Sequence, residues 1–248
     1  MKEEVIQGDC LEIMKDIPDK SIDMILADLP YGTTACKWDT IIPLEPLWEQ
    51  YNRIIKDNGA IVLTASQPFT SALVMSNVKM FKYCWTWDKI TAKGHLVAKI
   101  RPMQQTEDIL VFGIGKINYY PQMTLREKET TNKETKRTEI MGGNTTSFIG
   151  KYTQKYPKTI LRFSSDKQRI NLHPTQKPVA LFEYLIKTYT NEGDLVLDNC
   201  AGSGTTGVAC KNLKRNFILI EKEQEYIDII NKRLTAPSEK ARGGNINK

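Results

Sequence analysis

The tetrapeptide Asp28-Leu29-Pro30-Tyr31 follows a short apolar run and carries the groups needed to handle a planar, amine-bearing base. An exocyclic amine is a poor nucleophile because its lone pair is delocalised into the ring. The Asp28 carboxylate and the main-chain carbonyl of Leu29 could accept both amine hydrogens, which favours a pyramidal nitrogen able to attack a methyl group. Tyr31 could stack on the base, an interaction worth about 1–3 kcal/mol, and Pro30 stiffens the turn. The alternative is that the tetrapeptide merely ends a strand.

A glycine-rich loop spans residues 198–207, directly after the apolar residues 195–197. The glycines that match the pattern G-x-G-x-x-G are Gly202, Gly204 and Gly207. A loop of this kind binds dinucleotides or related cofactors, or it is a plain strand-to-helix turn. A buried carboxylate at Asp198 would repel a pyrophosphate but suits an ammonium and a sulfonium, which favours S-adenosylmethionine.

Two further acidic residues are placed at predicted strand ends. Glu221 is predicted to accept hydrogen bonds from the ribose hydroxyls of the cofactor. Asp9 either contacts the cofactor adenine or caps the helix that follows it. The residues after Glu221 accommodate one helix and a tail, so the N-terminal part is expected to complete the sheet. The sequence therefore predicts a circularly permuted fold.

Strands and helices alternate along the chain, which predicts an α/β, Rossmann-like fold with a mostly parallel sheet and helices on both faces. The predicted strands are 23–28, 60–63, 81–88, 108–112, 195–197 and 217–220, and the predicted helices are 11–17, 44–56, 67–75, 179–189, 204–212 and 224–234. Asn58-Gly59 is interpreted as the stop signal between a helix and a strand.

The chain is expected to form one domain in several parts. Residues 1–112 are predicted to be its catalytic part and residues 172–234 its cofactor-binding part. The character of the sequence changes over residues 113–171, where residues 126–139 are charged, Thr-rich and without apolar periodicity. Residues 113–171 are interpreted as a small insert that faces the substrate and recognises the target, or else as a solvated excursion. The polar residues 235–248 are predicted to be a disordered tail.

Composition sets the class of protein. The 248 residues are 40% hydrophobic and 26% charged, as in soluble globular proteins. A net charge of +6 permits nucleic-acid binding. The five cysteines are scattered, which indicates neither a disulfide framework nor a metal site and fits a reducing cytoplasm. We expect no signal peptide, no membrane span and no bound metal.

These motifs resemble those of the DNA amino-methyltransferases, which modify adenine N6 or cytosine N4, in the β arrangement where D-P-P-Y precedes the cofactor motif. Residues 28–32 correspond to D-P-P-Y-G, and residues 198–206 to D-P-F-x-G-S-G-T-T. Residues 173–178 look like the H-x-x-x-K-P segment that helps close the cofactor site, and residues 106–112 resemble the strand H-E-x-I-L-V-F. The chain departs from the family pattern at Leu29, Thr106, Asn199 and Cys200.

The resemblance implies S-adenosylmethionine-dependent methylation of DNA by base flipping and direct attack on the methyl group. Asp in the first motif position favours adenine N6. The alternatives are a cytosine-N4 enzyme, an RNA or protein amine methyltransferase, and a non-catalytic DNA-binding partner. The implied catalytic residues are Asp28, Leu29, Pro30 and Tyr31. The implied cofactor-binding residues are Asp9, Asp28, His173, Lys177, Asp198, Cys200, Ala201, Gly202, Ser203, Gly204, Thr205, Thr206 and Glu221.

For His173 the alternative role is packing or capping, and for Lys177 it is a surface position before a helix. The basic residues Lys89, Lys93, Lys99 and Arg101 are predicted to form a DNA-facing loop, with a solvated loop as the alternative. The tryptophans Trp38, Trp85 and Trp87 could line the base pocket or the DNA face, and core packing is the expected role of at least two of them. The resemblance also implies a homodimer.

Overall fold

The computed structural model describes residues 2–32, 40–131, 150–165 and 176–236. Within these ranges the strands are β1 (Glu3–Gln7), β2 (Ile22–Ala27), β3 (Ile55–Ala65), β4 (Phe81–Lys93), β5 (Gln104–Phe112), β6 (Thr124–Thr131), β7 (Lys151–Lys155), β8 (Ile160–Arg162), β9 (Leu195–Asp198) and β10 (Asn216–Glu221). The α-helices are α1 (Cys10–Ile13), α2 (Leu44–Ile54), α3 (Phe69–Ser76), α4 (Val179–Tyr189), α5 (Thr205–Asn212) and α6 (Gln224–Thr235). Short 3-10 turns occupy Met14–Asp16 and His95–Val97.

Eight strands form one sheet in the order β1-β10-β9-β2-β3-β5-β4-β8. Only β5 runs antiparallel to its neighbours, so the predicted α/β class with a mostly parallel sheet is confirmed. The late strands β9 and β10 lie between β1 and β2, although β1 and β2 are consecutive in the chain. This order is the permuted arrangement that the sequence predicts, with the cofactor loop at the middle of the sheet.

Strand β2 shows why the sheet has helices on both faces. Its side chains alternate between two cores, because successive residues of a strand point to opposite faces. Met24 and Leu26 join the core that holds residues of α4, α5 and α6, whereas Ile25 and Ala27 join the core that holds residues of α2 and α3. Burial on both faces accounts for the unbroken apolar run of this strand.

The start of β3 differs from the sequence prediction. Asn58-Gly59 does not end a helix; it lies inside β3, and α2 ends earlier, at Ile54. Ile22 of β2 pairs with Ile55, and Met24 pairs with Ala60, so β3 carries a bulge across from β2. Asn58 and Gly59 fall between these two pairs, in the bulge, so the turn signal marks a local break in the pairing rather than the end of a helix.

Residues 121–158 form a separate compact unit inside the predicted insert, while the described residues 113–120 and 159–165 belong with the main unit. In the described part of this second unit, β6 and β7 pair antiparallel and β6 is almost wholly exposed. Target recognition by this segment stays a prediction. The predicted tail lies outside the described residues apart from Thr235 and Ala236. None of the helices within the described ranges is long and apolar enough to cross a membrane.

Candidate active site

The two motifs meet at one edge of the sheet. Strands β2 and β9 are parallel neighbours, with Met24 opposite Val196 and Ile25 opposite Leu197, so Asp28 and Asp198 emerge at the same carboxyl edge. A cavity of about 610 Å³ lies there, and both aspartates line it. Ligands of open α/β sheets bind outside the carboxyl ends of the strands, which identifies this cavity as the candidate site.

The two oxygens of Asp28 have different surroundings. Oδ1 lies 2.9 Å from the Tyr31 hydroxyl and 3.0 Å from Nζ of Lys177, and it accepts a hydrogen bond from the Thr64 hydroxyl. Among the residues that the structure describes, none donates a hydrogen bond to Oδ2. Three donors therefore hold Oδ1 of Asp28, and Oδ2 remains available as an acceptor beside the cavity.

Lys177 belongs to a set of four alternating charges, which we call the buried charge chain: Lys89, Glu107, Lys177 and Asp28. Nζ of Lys177 lies 3.1 Å from Glu107 Oε2, and Nζ of Lys89 lies 2.9 Å from Glu107 Oε1. The side chains of both lysines are only 8% exposed. Burial opposes the charged form of Lys177, but the carboxylates of Asp28 and Glu107 help raise its pKa well above its ordinary value.

Aromatic rings lie close to both lysines of the buried charge chain. Nζ of Lys177 lies 5.6 Å from the centre of the Tyr31 ring and 6.0 Å from that of Trp87, within the range of cation–π contact. Tyr31 stacks on Phe69 at 5.4 Å between ring centroids. The Trp87 indole donates a hydrogen bond to the Phe163 carbonyl, and Trp87 also lines the cavity. Trp85 and Trp87 are buried, and Trp38 lies outside the described residues.

Asp198 is buried at the end of β9. Its Oδ1 accepts a hydrogen bond of 3.0 Å from the Cys200 amide, and its Oδ2 accepts one from the Thr206 hydroxyl. Desolvation outweighs these hydrogen bonds and raises the pKa of Asp198 to about 7. A cationic group in the cavity would therefore stabilise the ionised form of Asp198.

Glu221 ends β10 and shapes the glycine loop. Its Oε2 accepts a hydrogen bond of 2.7 Å from the Gly202 amide, and its Oε1 accepts hydrogen bonds from the amides of Lys222 and Glu223. Burial raises its pKa despite these bonds. Gly204 has φ of +76°, and a Cβ added there would lie 2.9 Å from Ile230, so both backbone conformation and space require glycine.

Asp9 caps α1, because its Oδ1 accepts a hydrogen bond of 2.9 Å from the Leu11 amide. It also lines the cavity, so a contact with the cofactor adenine stays a prediction. Of the other residues assigned to the cofactor, the cavity wall includes Lys177, Cys200, Ala201, Gly202, Ser203, Thr205 and Glu221. The Thr206 hydroxyl donates a hydrogen bond to Asp198, which lines the cavity. His173 lies outside the described residues.

The predicted DNA-facing loop needs one correction. Lys89 is buried on β4 and paired with Glu107, so it is not part of an exposed basic loop. Lys99 and Arg101 are exposed, and Lys93 is both exposed and part of the cavity wall. For these three residues, contact with DNA stays a prediction.

Sequence reasoning missed Thr64 and Glu107 as site residues. Thr64 is a polar residue at the end of an apolar run, which is a usable signal for a side chain that faces a site. Glu107 is the glutamate of the segment that resembles H-E-x-I-L-V-F, and it becomes part of the site because β5 and β4 place it opposite Trp87.

The cavity suits a cofactor that carries a cationic sulfonium, an ammonium and ribose hydroxyls. Its volume is within the range of small-molecule sites. The carboxylates of Asp198, Glu221 and Asp9 line the cavity and supply acceptors. Within the described ranges, no group of three or more His, Cys, Asp or Glu side chains could hold a metal ion. Fold and site together define an S-adenosylmethionine-dependent methyltransferase.

Comparisons with known proteins give the family. A family model described as DNA methylase matches residues 22–232. Type II methyltransferase M2.DpnII of Streptococcus pneumoniae is 29% identical over 264 residues, which cover 95% of this chain and 90% of the relative. DNA adenine methyltransferase YhdJ of Escherichia coli (strain K12) is 30% identical over 260 residues, covering 94% and 83% respectively.

A solved structure of an M1.HpyAVI–SAM complex is similar with a TM-score of 0.63 and 30% identity, over 93% of this chain and 99% of that one. The chain belongs to the DNA methylase family. The resemblance to DNA amino-methyltransferases drawn from the motifs is thereby confirmed, as is S-adenosylmethionine as the cofactor.

Proposed function

We propose that the protein methylates N6 of adenine at a specific DNA sequence, after flipping the base into the cavity. The observation that carries the proposal is the arrangement of Asp28, whose Oδ1 is held by three donors while Oδ2 stays available beside the cavity shared with Asp198. The similarity to an enzyme named for DNA adenine supports the choice of base.

The residues of the chain have distinct roles in this proposal. Bound S-adenosylmethionine supplies an electrophilic methyl group on a sulfonium. Asp28 Oδ2 and the Leu29 carbonyl accept the hydrogens of the target amine and so free its lone pair, and Oδ2 can hold the proton that the amine must lose. Asp198 accepts the cationic end of the cofactor, and Glu221 accepts its ribose hydroxyls. His173 and Lys177 stay predictions for the cofactor site.

Tyr31 is the proposed stacking platform for the flipped base. Its hydroxyl is tied to Asp28 and its ring stacks on Phe69, so the ring orientation is fixed before a base arrives. A flipped base would then use the ring face that does not contact Phe69. Pro30 limits the turn that joins Asp28 to Tyr31.

The segment from Lys93, the last residue of β4, to Arg101 is the proposed DNA face beside the cavity. Lys93, Lys99 and Arg101 supply positive charge for phosphates. Two apolar residues of the same segment, Leu96 and Ile100, are 88% and 87% exposed. Exposed apolar side chains among basic ones suit contact with unstacked bases next to a flipped nucleotide.

The nearest alternative is cytosine N4, because the motif chemistry serves either amine. The similarity to a Type II methyltransferase supports a role in restriction and modification, and such a role fits a cytoplasmic location. A homodimer stays a prediction from the resemblance.

One assay tests the proposal. The protein is incubated with unmodified DNA and isotopically labelled S-adenosylmethionine, and the nucleosides of the digested DNA are identified by mass spectrometry. We expect label in N6-methyladenine. Label in N4-methylcytosine alone would contradict the adenine assignment, and cofactor binding without transfer to any DNA would favour an RNA, protein or non-catalytic role. Mapping the labelled sites gives the recognition sequence.

A further inference from the structure

The buried charge chain contains two residues, Lys89 and Glu107, to which the proposed reaction gives no task. Buried ion pairs are costly to desolvate, and apolar residues of similar volume often stabilise a fold equally well. The buried charge chain ends at Asp28, which lines the cavity. The arrangement of the buried charge chain is therefore better explained by its effect on Asp28 than by a contribution to the stability of the fold.

Glu107 stands between the two lysines and uses one oxygen for each. Its Oε2 faces Lys177 at 3.1 Å and its Oε1 faces Lys89 at 2.9 Å. Nζ of Lys177 is thus shared between Glu107 and Asp28 at almost equal distances. Without Glu107, the Lys177 ammonium would interact with the Asp28 carboxylate alone. The flexible side chain of Lys177 would then let the ammonium approach both Asp28 oxygens.

We propose that Glu107 is a positioning residue for methyl transfer: with Lys89 it holds the Lys177 ammonium on Asp28 Oδ1 and so keeps Oδ2 available for the target amine. The inference rests on the proposed function of Asp28. It also reassigns Lys177, because an ammonium held between two carboxylates acts on Asp28 rather than on the cofactor.

The decisive variant is Glu107→Gln, which keeps the shape of the side chain and removes its charge. We expect kcat to fall about tenfold, because a misplaced catalytic group alone costs up to about 100-fold. The Kd of S-adenosylmethionine, measured by calorimetry, should change less than about twofold. Lys56→Met is the matched control, since Lys56 forms an ion pair with Asp23 at the opposite end of β2, and its kcat should be unchanged.

Lys177→Met and Lys177→Arg separate positioning from cofactor binding. We expect Lys177→Met to lower kcat about 100-fold, because Asp28 Oδ1 loses the ammonium that occupies it, while the Kd of S-adenosylmethionine should change less than about threefold. Lys177→Arg should restore part of the rate, because it keeps a cation beside Asp28. Thermal unfolding identifies any variant that fails to fold. If Lys177→Met fails to fold, Glu107→Gln and Lys177→Arg still test the inference.

A measurement that does not depend on enzyme activity separates this inference from the proposed function. The carboxyl-carbon NMR resonance of Asp28, assigned with Asp28→Asn, is recorded at one pH in the cofactor-free protein, and it should move in Glu107→Gln and in Lys177→Met but not in Lys56→Met. An unchanged resonance in Glu107→Gln would overturn the inference, and so would Glu107→Gln with full kcat and a tenfold weaker Kd for the cofactor. A wild-type protein that methylates no DNA, together with the expected change of the resonance in Glu107→Gln, would refute the function and keep the placement.

Discussion

Strand β2 has a carboxylate at each end, and each carboxylate meets a lysine, yet the two ends are built for different purposes. At the amino end, Asp23 uses both oxygens: Oδ1 lies 2.6 Å from Nζ of Lys56, and Oδ2 accepts a hydrogen bond of 2.9 Å from the Leu195 amide. At the carboxyl end, three donors converge on Asp28 Oδ1, and no described residue donates to Oδ2. An aspartate and a lysine thus stabilise the structure at one end of β2 and form part of the candidate active site at the other. The difference is that Asp28 keeps one acceptor oxygen available beside the cavity.

Replacing each aspartate tests the comparison with the largest expected effect. Asp28→Ala should lower kcat at least about 100-fold, as the loss of a transition-state contact does, while the Kd of S-adenosylmethionine changes less than about threefold. Asp23→Ala should leave kcat within about twofold but lower the free energy of unfolding by about 1–3 kcal/mol, because the Leu195 amide loses its acceptor. Methyl-transfer rates, calorimetry and urea unfolding measure the three quantities. Equal loss of kcat in both variants would remove the distinction.

Two glycines with positive φ extend the comparison to the ends of β9. Gly193 precedes β9 with φ of +85°, and no atom of the described residues lies within 4 Å of an added Cβ. Gly204 follows β9, and an added Cβ would lie 2.9 Å from Ile230. Gly193→Ala should cost about 1–2 kcal/mol of unfolding free energy for the backbone conformation alone. Gly204→Ala should cost about 1–3 kcal/mol more, because Ile230 must shift. Urea unfolding of both variants gives the difference, and equal costs would mean that the carboxyl edge is not packed more tightly.

Cofactor affinity should depend on pH through Asp198 at the carboxyl edge. Burial raises the pKa of Asp198 to about 7, so below pH 7 the cofactor-free folded protein holds a proton there, and binding of a cationic cofactor must release it. Affinity should therefore fall as the pH drops through 7, approaching tenfold per pH unit. Calorimetry in buffers of different ionisation enthalpy measures the proton released. Asp198→Asn should abolish this dependence, and a wild-type affinity that is flat from pH 5 to 8 would contradict the assignment.

The same pKa shift acts on stability in a defined direction. Because the unfolded chain ionises Asp198 near its ordinary value, the unfolded state loses this proton at lower pH than the folded state does. The contribution of Asp198 to the stability of the cofactor-free protein is therefore lost as the pH rises through this window. Bound cofactor should offset the loss.

The smallest expected effect concerns charges that contact DNA. Lys99→Ala and Arg101→Ala should each reduce the slope of log affinity against log salt by about one, with a similar loss of affinity for every DNA sequence. Lys56→Ala, at the amino end of the sheet, is the control and should leave the slope unchanged. Fluorescence anisotropy with a labelled duplex measures these slopes. Equal slopes in all three variants would refute the proposed DNA face.

The sequence determines some elements of this fold almost completely. Helix α4 begins and ends where the apolar periodicity predicts, and β2 and β9 follow from short runs of residues that are buried on both faces. The adjacency of Asp28 and Asp198 is predictable because the cofactor loop and the tetrapeptide each follow a strand of one parallel sheet. The signals involved are local or depend on a simple rule of sheet topology.

The missed features depend on pairings between distant parts of the chain. Lysine is mostly exposed in proteins, and nothing near Lys89 in sequence shows that Glu107 will cover it. Asn58-Gly59 has the composition of a turn, but it lies in the bulge of β3, between the residues that pair with Ile22 and Met24 of β2. The sequence signal at Thr64 indicates a side chain that faces a site, but its partner Asp28, 36 residues away, follows only from the pairing of β2 with β3.

The position of β9 and β10 between β1 and β2 also has a consequence for how the molecule is made. During synthesis, β1, β2 and β3 leave the ribosome long before residues 195–221, so the edge of β2 that will face β9 has no partner in the meantime. Contacts between residues so far apart in sequence form slowly because of the loop entropy they cost. Folding of the main sheet should therefore be completed late, and an exposed apolar edge of β2 is where a chaperone or a second unfinished chain would bind first.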